Sequence, residues 1–547
     1  MSSGRVRRVL RGLLRTAVFA AACVVTAVVV RAQHEHAQAA LPEGFNQPMP
    51  LYPSPQVLGT FTRPVSSLNP EAQRFFDQGF QLMYAFDKYG AIRSFREAEK
   101  LAPDCAFCYW GEAWAWGSFL NGPMTGEEAP FAFAAIQQAR KLSSTRESPV
   151  ERALIDAMST RYVEHFDPAK RRDQDTAYAE AMRAVHERFP KDLEAGTLYG
   201  EALFLLEPRR GSREIKAPNV QRILRAFEEV LAINPTHVGA CHLYIHLTEA
   251  TTEPQRAEHC ADSIRDAIPG ASHLNHMPSH TWNLLGRWGD SVRANILAWQ
   301  SDQKAAAGEG VAIYPSHDLH MLAFAASMDG QGALAVQAAK DYTKFDTNML
   351  HVLTLVRFGR FDDIQELNKR PENNDIAAGM WDFGQGYARL RAGDKDFARA
   401  YLNRIRATAE SSKAMFRVHS AHDLLGILAP MLEGEIERSE GSLDRAISAF
   451  TRAVAQYDAL MYDEPEPLPF SPRHWLGAPC WRTSTMPRPS ASGIKGDPPN
   501  HNVRADRIVE ILCRFTRPLE RGISFLKRLC ILKPFVRAVR TTDGDER

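Results

Sequence analysis

The sequence predicts an all-α protein, a right-handed α-solenoid of stacked helical hairpins. Two observations carry that expectation. A helix–turn–helix unit of 34 residues returns along the chain in one frame, and prolines recur where the second helix of each unit must stop. The totals agree: 547 residues, 44% hydrophobic and 24% charged, suit a long folded array rather than a disordered chain.

The chain opens on Arg5, Arg7, Arg8, Arg11 and Arg15, followed by the apolar run Ala17–Val30 and a small-residue exit at Ala32. A spanning helix wants roughly 20 apolar residues, so residues 1–32 are expected to be a secretory signal peptide, with the mature chain starting near Gln33. An uncleaved N-terminal anchor is the alternative, because Arg31 is a poor cleavage context. Either way the bulk of the protein is expected outside the cytoplasm, periplasmic or secreted, touching a membrane only through this segment if it stays uncleaved. Residues 33–70, rich in Pro, Gln and Ala without helical periodicity, read as a flexible leader. Its His34 and His36 read as incidental.

Residues 71–478 hold the repeats. From Ala72 to Asp104 the residues Gly79, Ala91, Phe95, Ala98 and Pro103 fall at positions 8, 20, 24, 27 and 32 of the unit. Those are the slots where two antiparallel helices touch and where a Pro ends the second. Pro190, Pro235 and Pro269 close later units, and Gly286–Trp288, Gly359–Phe361, Gly386 with Ala398, and Gly441 with Phe450 mark others. About nine hairpins are expected, with insertions at 121–128 and 303–315.

In such an array positions 2, 5, 9 and 12 of each first helix line the concave groove, so function is sought there. In the unit starting at Val238, His242 and His246 occupy positions 5 and 9, with Glu249 at 12. In the next, starting at Ser272, His276 and His280 occupy positions 5 and 9, with His273 at 2. The unit at Ser316 places His317 at 2 and His320 at 5. Histidines at i and i+4 share a helix face and neighbouring hairpins stack side by side, so these imidazoles are expected to converge. The pattern suits a metal, and an exported protein would meet copper or zinc. The bland alternative is that they pack and hydrogen-bond as ordinary buried histidines do.

Cys105 and Cys108 open the first helix of the second hairpin as a Cys-x-x-Cys, for which a local disulfide is the default and a metal or redox role the sharper option. Tyr109 stands where covalent haem attachment would need a His. Trp110 and Trp114, at positions 5 and 9, with Glu112 between them, are candidate groove residues for a ligand, with inter-repeat packing as the alternative. Cys241 and Cys260, at positions 4 and 23 of one hairpin, are expected to bridge or to be free buried thiols.

The stretches Cys105–Ala113, His242–Glu249 and His276–His280 resemble a family of exported bacterial tetratricopeptide repeat (TPR) proteins, mostly uncharacterised, over roughly residues 70–476. The resemblance implies a TPR solenoid and export, and brings no substrate or reaction. The leading functional expectation is a binding or scaffold protein holding a peptide, protein or small ligand in a His/Trp-lined groove. The alternative is a periplasmic copper or zinc metalloprotein built on the groove histidines, a metal-dependent enzyme included. No Gly-rich phosphate loop, Gly-x-Ser-x-Gly elbow or His-Glu-x-x-His helix is present, and no catalytic residue is singled out. With 66 basic and 65 acidic residues the net charge is +1, so nucleic acid is set aside as a partner.

Beyond Leu476 the helical pattern stops. Residues 479–547 read as a non-family tail, and allowed codons for 479–493 read two nucleotides later give a helical sequence, so a frameshift near Ala478 is expected. A basic amphipathic helix over 504–540 is the alternative; resequencing across the Trp475 codon decides.

Overall fold

The computed structural model describes residues 47–66, 68–347 and 349–477. The signal peptide, the leader up to residue 46 with His34 and His36, and the tail 479–547 lie outside them. The described residues form an all-α solenoid of ten hairpins. In chain order the helix pairs are α1 (Pro70–Tyr84) with α2 (Lys88–Leu101), α3 (Ala106–Trp116) with α4 (Ala129–Leu142), and α5 (Pro149–Ser159) with α6 (Arg171–Arg188). Then follow α7 (Leu193–Phe204) with α8 (Pro218–Ile233), and α9 (Val238–Glu249) with α10 (Glu258–Ile264). The sixth first helix is split in two, α11 (Ser272–His276) and α12 (Pro278–Leu285), against α13 (Trp288–Ala306). The last four hairpins are α14 (Pro315–Asp329) with α15 (Gly332–Tyr342), α16 (Met349–Arg357) with α17 (Phe361–Glu366), α18 (Asp375–Arg391) with α19 (Lys395–Ser411), and α20 (Ala421–Ser439) with α21 (Leu443–Asp458). A two-residue ribbon, β1 (Met415–Phe416) with β2 (His419–Ser420), joins α19 to α20.

The repeat signature has a plain packing cause. Ideal Cβ atoms built on Gly79 and Gly111 would lie 2.9 and 2.6 Å from the Phe95 ring, so only glycine lets α1 and α3 close on the aromatic residue between them. Helix starts are satisfied locally: Asn69 accepts from the Ala72 N–H, Asp87 from Gly90, and Ser148 with Glu151 and Ser420 with Asp423 form reciprocal capping boxes. The core runs along the array in three main successive blocks, over residues 49–314, 292–350 and 349–475.

The leader is not flexible where it is described. Glutamines of α1 receive its backbone: the Tyr52, Gly59 and Val65 N–H groups donate to Gln78, Gln81 and Gln73 at 2.8, 2.7 and 2.9 Å. Met49, Leu58 and Val65 are buried. The described leader is non-helical, as its composition implies, and side-chain hydrogen bonding from a neighbouring helix leaves no periodicity in the segment it holds.

Candidate metal centre and its cavity

All twelve residues of α9 are buried, although it carries two histidines, a glutamate and a threonine. A helix hidden on every face needs a partner for each polar atom it brings. Gly239 starts the arrangement: a Cβ there would lie 2.3 Å from the Tyr84 ring, and its absence lets the end of α1 approach α9. The Tyr84 carbonyl thereby sits 2.7 Å from His242 Nδ1. A carbonyl only accepts, so His242 carries its hydrogen on Nδ1 and keeps a lone pair on Nε2.

The same arrangement recurs. His246 Nδ1 lies 2.9 Å from Glu249 Oε1, while His246 Nε2 has no protein partner among the described residues. His280 Nδ1 makes a short contact with Glu249 Oε2 and lies 3.0 Å from Glu464 Oε2. His276 Nδ1 is turned to Asp318 Oδ1 at 3.6 Å. His242, His246 and His280 thus each have an oxygen acceptor on Nδ1 and direct Nε2 inward, whereas His276 Nδ1 lies beyond hydrogen-bond distance of Asp318. The Nε2 atoms of His242 and His273 are 3.2 Å apart, and those of His276 and His280 are 3.3 Å apart. Two nitrogens bound tetrahedrally to one ion at roughly 2 Å stand about 3.3 Å apart.

Six imidazoles sort into two triads, His242 with His246 and His273, and His276 with His280 and His317; within each, one nitrogen per ring can be chosen so that all lie within 4.8 Å. The triads touch where the His246 ring meets that of His280 at 5.3 Å and the His273 ring that of His276 at 5.0 Å. Glu249 spans both, hydrogen-bonded to one ring of each and to the Tyr462 hydroxyl. The carboxylate–histidine pairing that orients metal ligands is therefore present twice on one carboxylate.

Burial, then the charge of neighbouring imidazoles, holds His242, His273 and His276 well below the usual histidine range, and the same causes push His246 down to about 3. These rings are neutral bases at neutral pH. His280 is the exception. Burial again opposes its charge, but Glu249 and Glu464 outweigh it and raise the ring to about 10. Without a metal ion, a proton supplies the positive charge these two carboxylates attract.

The backbone marks the same place. Four non-glycine residues of the described chain have left-handed φ: Phe86 (66°), Tyr314 (61°), Asn373 (64°) and Arg417 (55°). The Phe86 ring packs on His242, His246 and His273 at 4.2, 5.8 and 5.2 Å, and Tyr314 meets His273 at 5.2 Å. Tyr314 and Arg417 line the cavity beside the imidazoles, and Asn373 precedes Asn374, which lines it too. Each such residue costs on the order of 1–3 kcal/mol, a strain that collects at ligand sites. The cavity has a volume of about 420 Å³. His246, His273, His280 and His317 line it together with Arg209, Arg210, Lys413 and Arg417.

The groove expected to be open is thus filled at this level by connecting segments: Asn121 follows α3, Arg209 follows α7, Tyr314 precedes α14, Lys413 follows α19 and Glu464 follows α21. The repeat frame brought together His242, His246, His273, His276, His280, His317 and Glu249. It mis-registered their pairing, since His242 meets His273 rather than its frame mate His276. His320 does not join them: Arg417 Nη2 donates to its Nδ1 at 2.9 Å, and it packs against Tyr342 and Phe416.

Trp110, Trp114 and Glu112 are not ligand residues of this cavity. The two rings are 2% and 1% exposed; Trp110 stacks on Phe107 at 4.3 Å, and the Trp114 indole donates to Glu201 at 3.3 Å. Glu112 accepts from Arg96 at 2.6 Å and from the Trp116 indole at 2.9 Å. Position 9 of a first helix faces a neighbouring hairpin here, and an aromatic ring at that position is spent on packing. Cys105 is bridged to Cys108 and Cys241 to Cys260, with Cα separations of 5.4 and 4.9 Å. The second bridge ties α9 to α10 next to His242.

Sequence reading missed Glu464, Tyr462 and Asp318 around the rings, and Arg209 and Lys413 in the cavity. Asp318 adjoins His317 and was in plain view. Glu464 lies past the last hairpin, where no frame assigns it a direction.

No family model matches the chain, and no curated protein does. Among solved structures it is similar to the human IFIT1 dimer with PPP-AAAA, at 12% identity and TM-score 0.28, and to that dimer with m7Gppp-AAAA, at 13% and 0.30; each covers 71% of this chain and 91% of the other. It is also similar to the P58(IPK) TPR domain, at 11% identity and TM-score 0.17, over 76% of this chain and 100% of that one. These likenesses assign no ligand to this chain.

Proposed function

We propose that this protein is a metalloprotein whose TPR-type solenoid holds two neighbouring ions, copper or zinc, each on one imidazole triad. The observation that carries the reading is the gathering of six imidazoles into two triads, in which His242, His246 and His280 are each held by an oxygen on Nδ1 with Nε2 directed inward. Packing alone does not require that orientation three times, whereas metal ligation does. Three nitrogens per ion leave coordination positions open, which is the condition for a catalytic rather than a structural site. All four cysteines of the described residues are bridged, so the available donors are nitrogen and oxygen, and imidazole suits copper and zinc alike.

A scaffold for a peptide or protein partner is the second reading. It is supported by the repeat architecture, and disfavoured by the connecting segments that fill the inner face around the imidazoles. Export is supported by the N-terminal pattern and by the two bridges.

Elemental analysis of the untagged protein tests the metal reading, beside a His242→Gln/His276→Gln variant that changes one ligand per triad. The expected result is about two copper or zinc ions per chain, lost in a variant whose circular dichroism is unchanged. No bound metal in the wild type, after incubation with either ion, overturns it in favour of the scaffold.

A further inference from the structure

The cavity beside the imidazoles has a charge that the chain total conceals. Arg210 and Arg417 share one carboxylate, Asp463, at 3.7 and 3.2 Å. Of the two acids lining the cavity, Glu464 is engaged with His280, and Asp346 accepts from the Tyr342 hydroxyl at 3.0 Å and the Thr347 N–H at 2.7 Å. Arg209 and Lys413 have no carboxylate within ion-pair distance among the described residues. Arg209 bonds only to uncharged oxygens, the Leu120 carbonyl and Asn121 Oδ1, the latter at 3.0 Å. Burial and the neighbouring Arg210 push the Arg209 guanidinium down to about 10, which is the sign of a cation short of an anion.

Tyr314, Tyr342, Met415 and Phe416 give the wall an aromatic and apolar stretch, beside the uncharged polar side chains of Asn121, Ser316 and Asn374. About 420 Å³ is within the range of pockets that enclose a small organic molecule.

We propose that this cavity binds a small organic carboxylate, with its anionic end on Arg209 and Lys413 and its apolar body between the aromatic rings and the edges of His246 and His273. A charge-assisted contact to a guanidinium supplies the anion that the wall lacks, and the aromatic lining favours a body that water does not solvate well. The orientation toward the imidazoles deepens the metal reading and rests on it, because bound ions would face the ligand through their open positions. The carboxylate site itself stands on the charge pattern alone.

Titration calorimetry with benzoate, and with the neutral benzamide of the same shape, tests this on the full untagged protein, both as isolated and after chelation. The same samples are assayed for metal. The expected result is saturable binding of one benzoate per chain with no benzamide binding at the same concentrations. Arg209→Gln or Lys413→Gln should weaken benzoate by about tenfold or more, and Arg209→Lys, which keeps the charge without the guanidinium fork, should weaken it less than Arg209→Gln does. Lys413 is exposed, so its variant keeps the fold even if the Arg209 variant does not. No saturation by about 10 mM benzoate, equal binding of benzamide, or folded variants that bind as the wild type does would each overturn the proposal. Metal present without benzoate binding sinks this inference alone; charge-dependent benzoate binding in a chain that takes up no metal sustains it and sinks the metal reading.

Discussion

Helices α3 and α9 look alike in sequence. Each opens beside a cysteine, carries ring-bearing side chains at positions 5 and 9 of its unit, and holds a glutamate, and both are buried almost throughout. In α3 the polar atoms are mostly spent: the Trp114 indole on Glu201, Glu112 on Arg96 and Trp116. In α9 each ring is fixed through one nitrogen and keeps the other for something else. Position in the repeat decides burial; the chemistry of the neighbours decides whether a buried ring is mortar or ligand.

Four experiments test this contrast, and the largest effect is expected from acid. In the metal-free protein His242, His246, His273 and His276 have folded pKa values below the unfolded value of about 6.5. Their contribution is present above that pH and lost as pH falls below it, continuing to about 3 for His246, at up to about 1.4 kcal/mol per unit for each group. His280 has the opposite sign: raised to about 10, it contributes fully below about 6.5 and loses that contribution as pH rises toward 10. Denaturant midpoints across pH 4–10 should therefore fall steeply on the acid side and gently on the alkaline side. A flat acid limb would mean the rings are not buried as neutral bases.

Trp114→Ala comes next. Removing a buried indole should cost about 3–5 kcal/mol in denaturant unfolding, while metal bound per folded chain stays constant. Loss of metal from the folded variant would erase the distinction between the two helices. Glu249→Gln should strike the metal instead, lowering its affinity by about 10–100-fold at both triads, and should also remove the larger of the two attractions that hold the His280 proton in the metal-free protein. A change confined to one triad would show that Glu249 does not serve both. The smallest effect is expected at Asn373, whose φ of 64° suits glycine better: Asn373→Gly should stabilise the fold by under about 1 kcal/mol and leave metal content unaltered.

The solenoid and seven of the centre's side chains were legible because the 34-residue frame repeats the same geometry, so similar residue types at corresponding positions had to come near one another. The frame failed in three ways. It treated rings as points on a helix face, so the stagger that sets His242 against His273 was invisible. It counted Trp110 and Trp114 with the histidines, since position says nothing about what a ring meets across the interface. It gave no direction to residues outside helices, and Glu464, Arg209 and Lys413 are all such residues. The net charge of +1 concealed the cavity's positive lining for a similar reason, because a total averages over a surface that the fold sorts by location.

A repeat array is normally built piecewise, each hairpin resting on the one before it. Here the first hairpin supplies the Tyr84 carbonyl behind His242, and the segment after the tenth supplies the Glu464 carboxylate behind His280. A chain synthesised from its N-terminus has all ten hairpins behind it before Glu464 exists. The centre is thus a late event in the life of each molecule, and occupancy of its triads would report that the whole length has arrived.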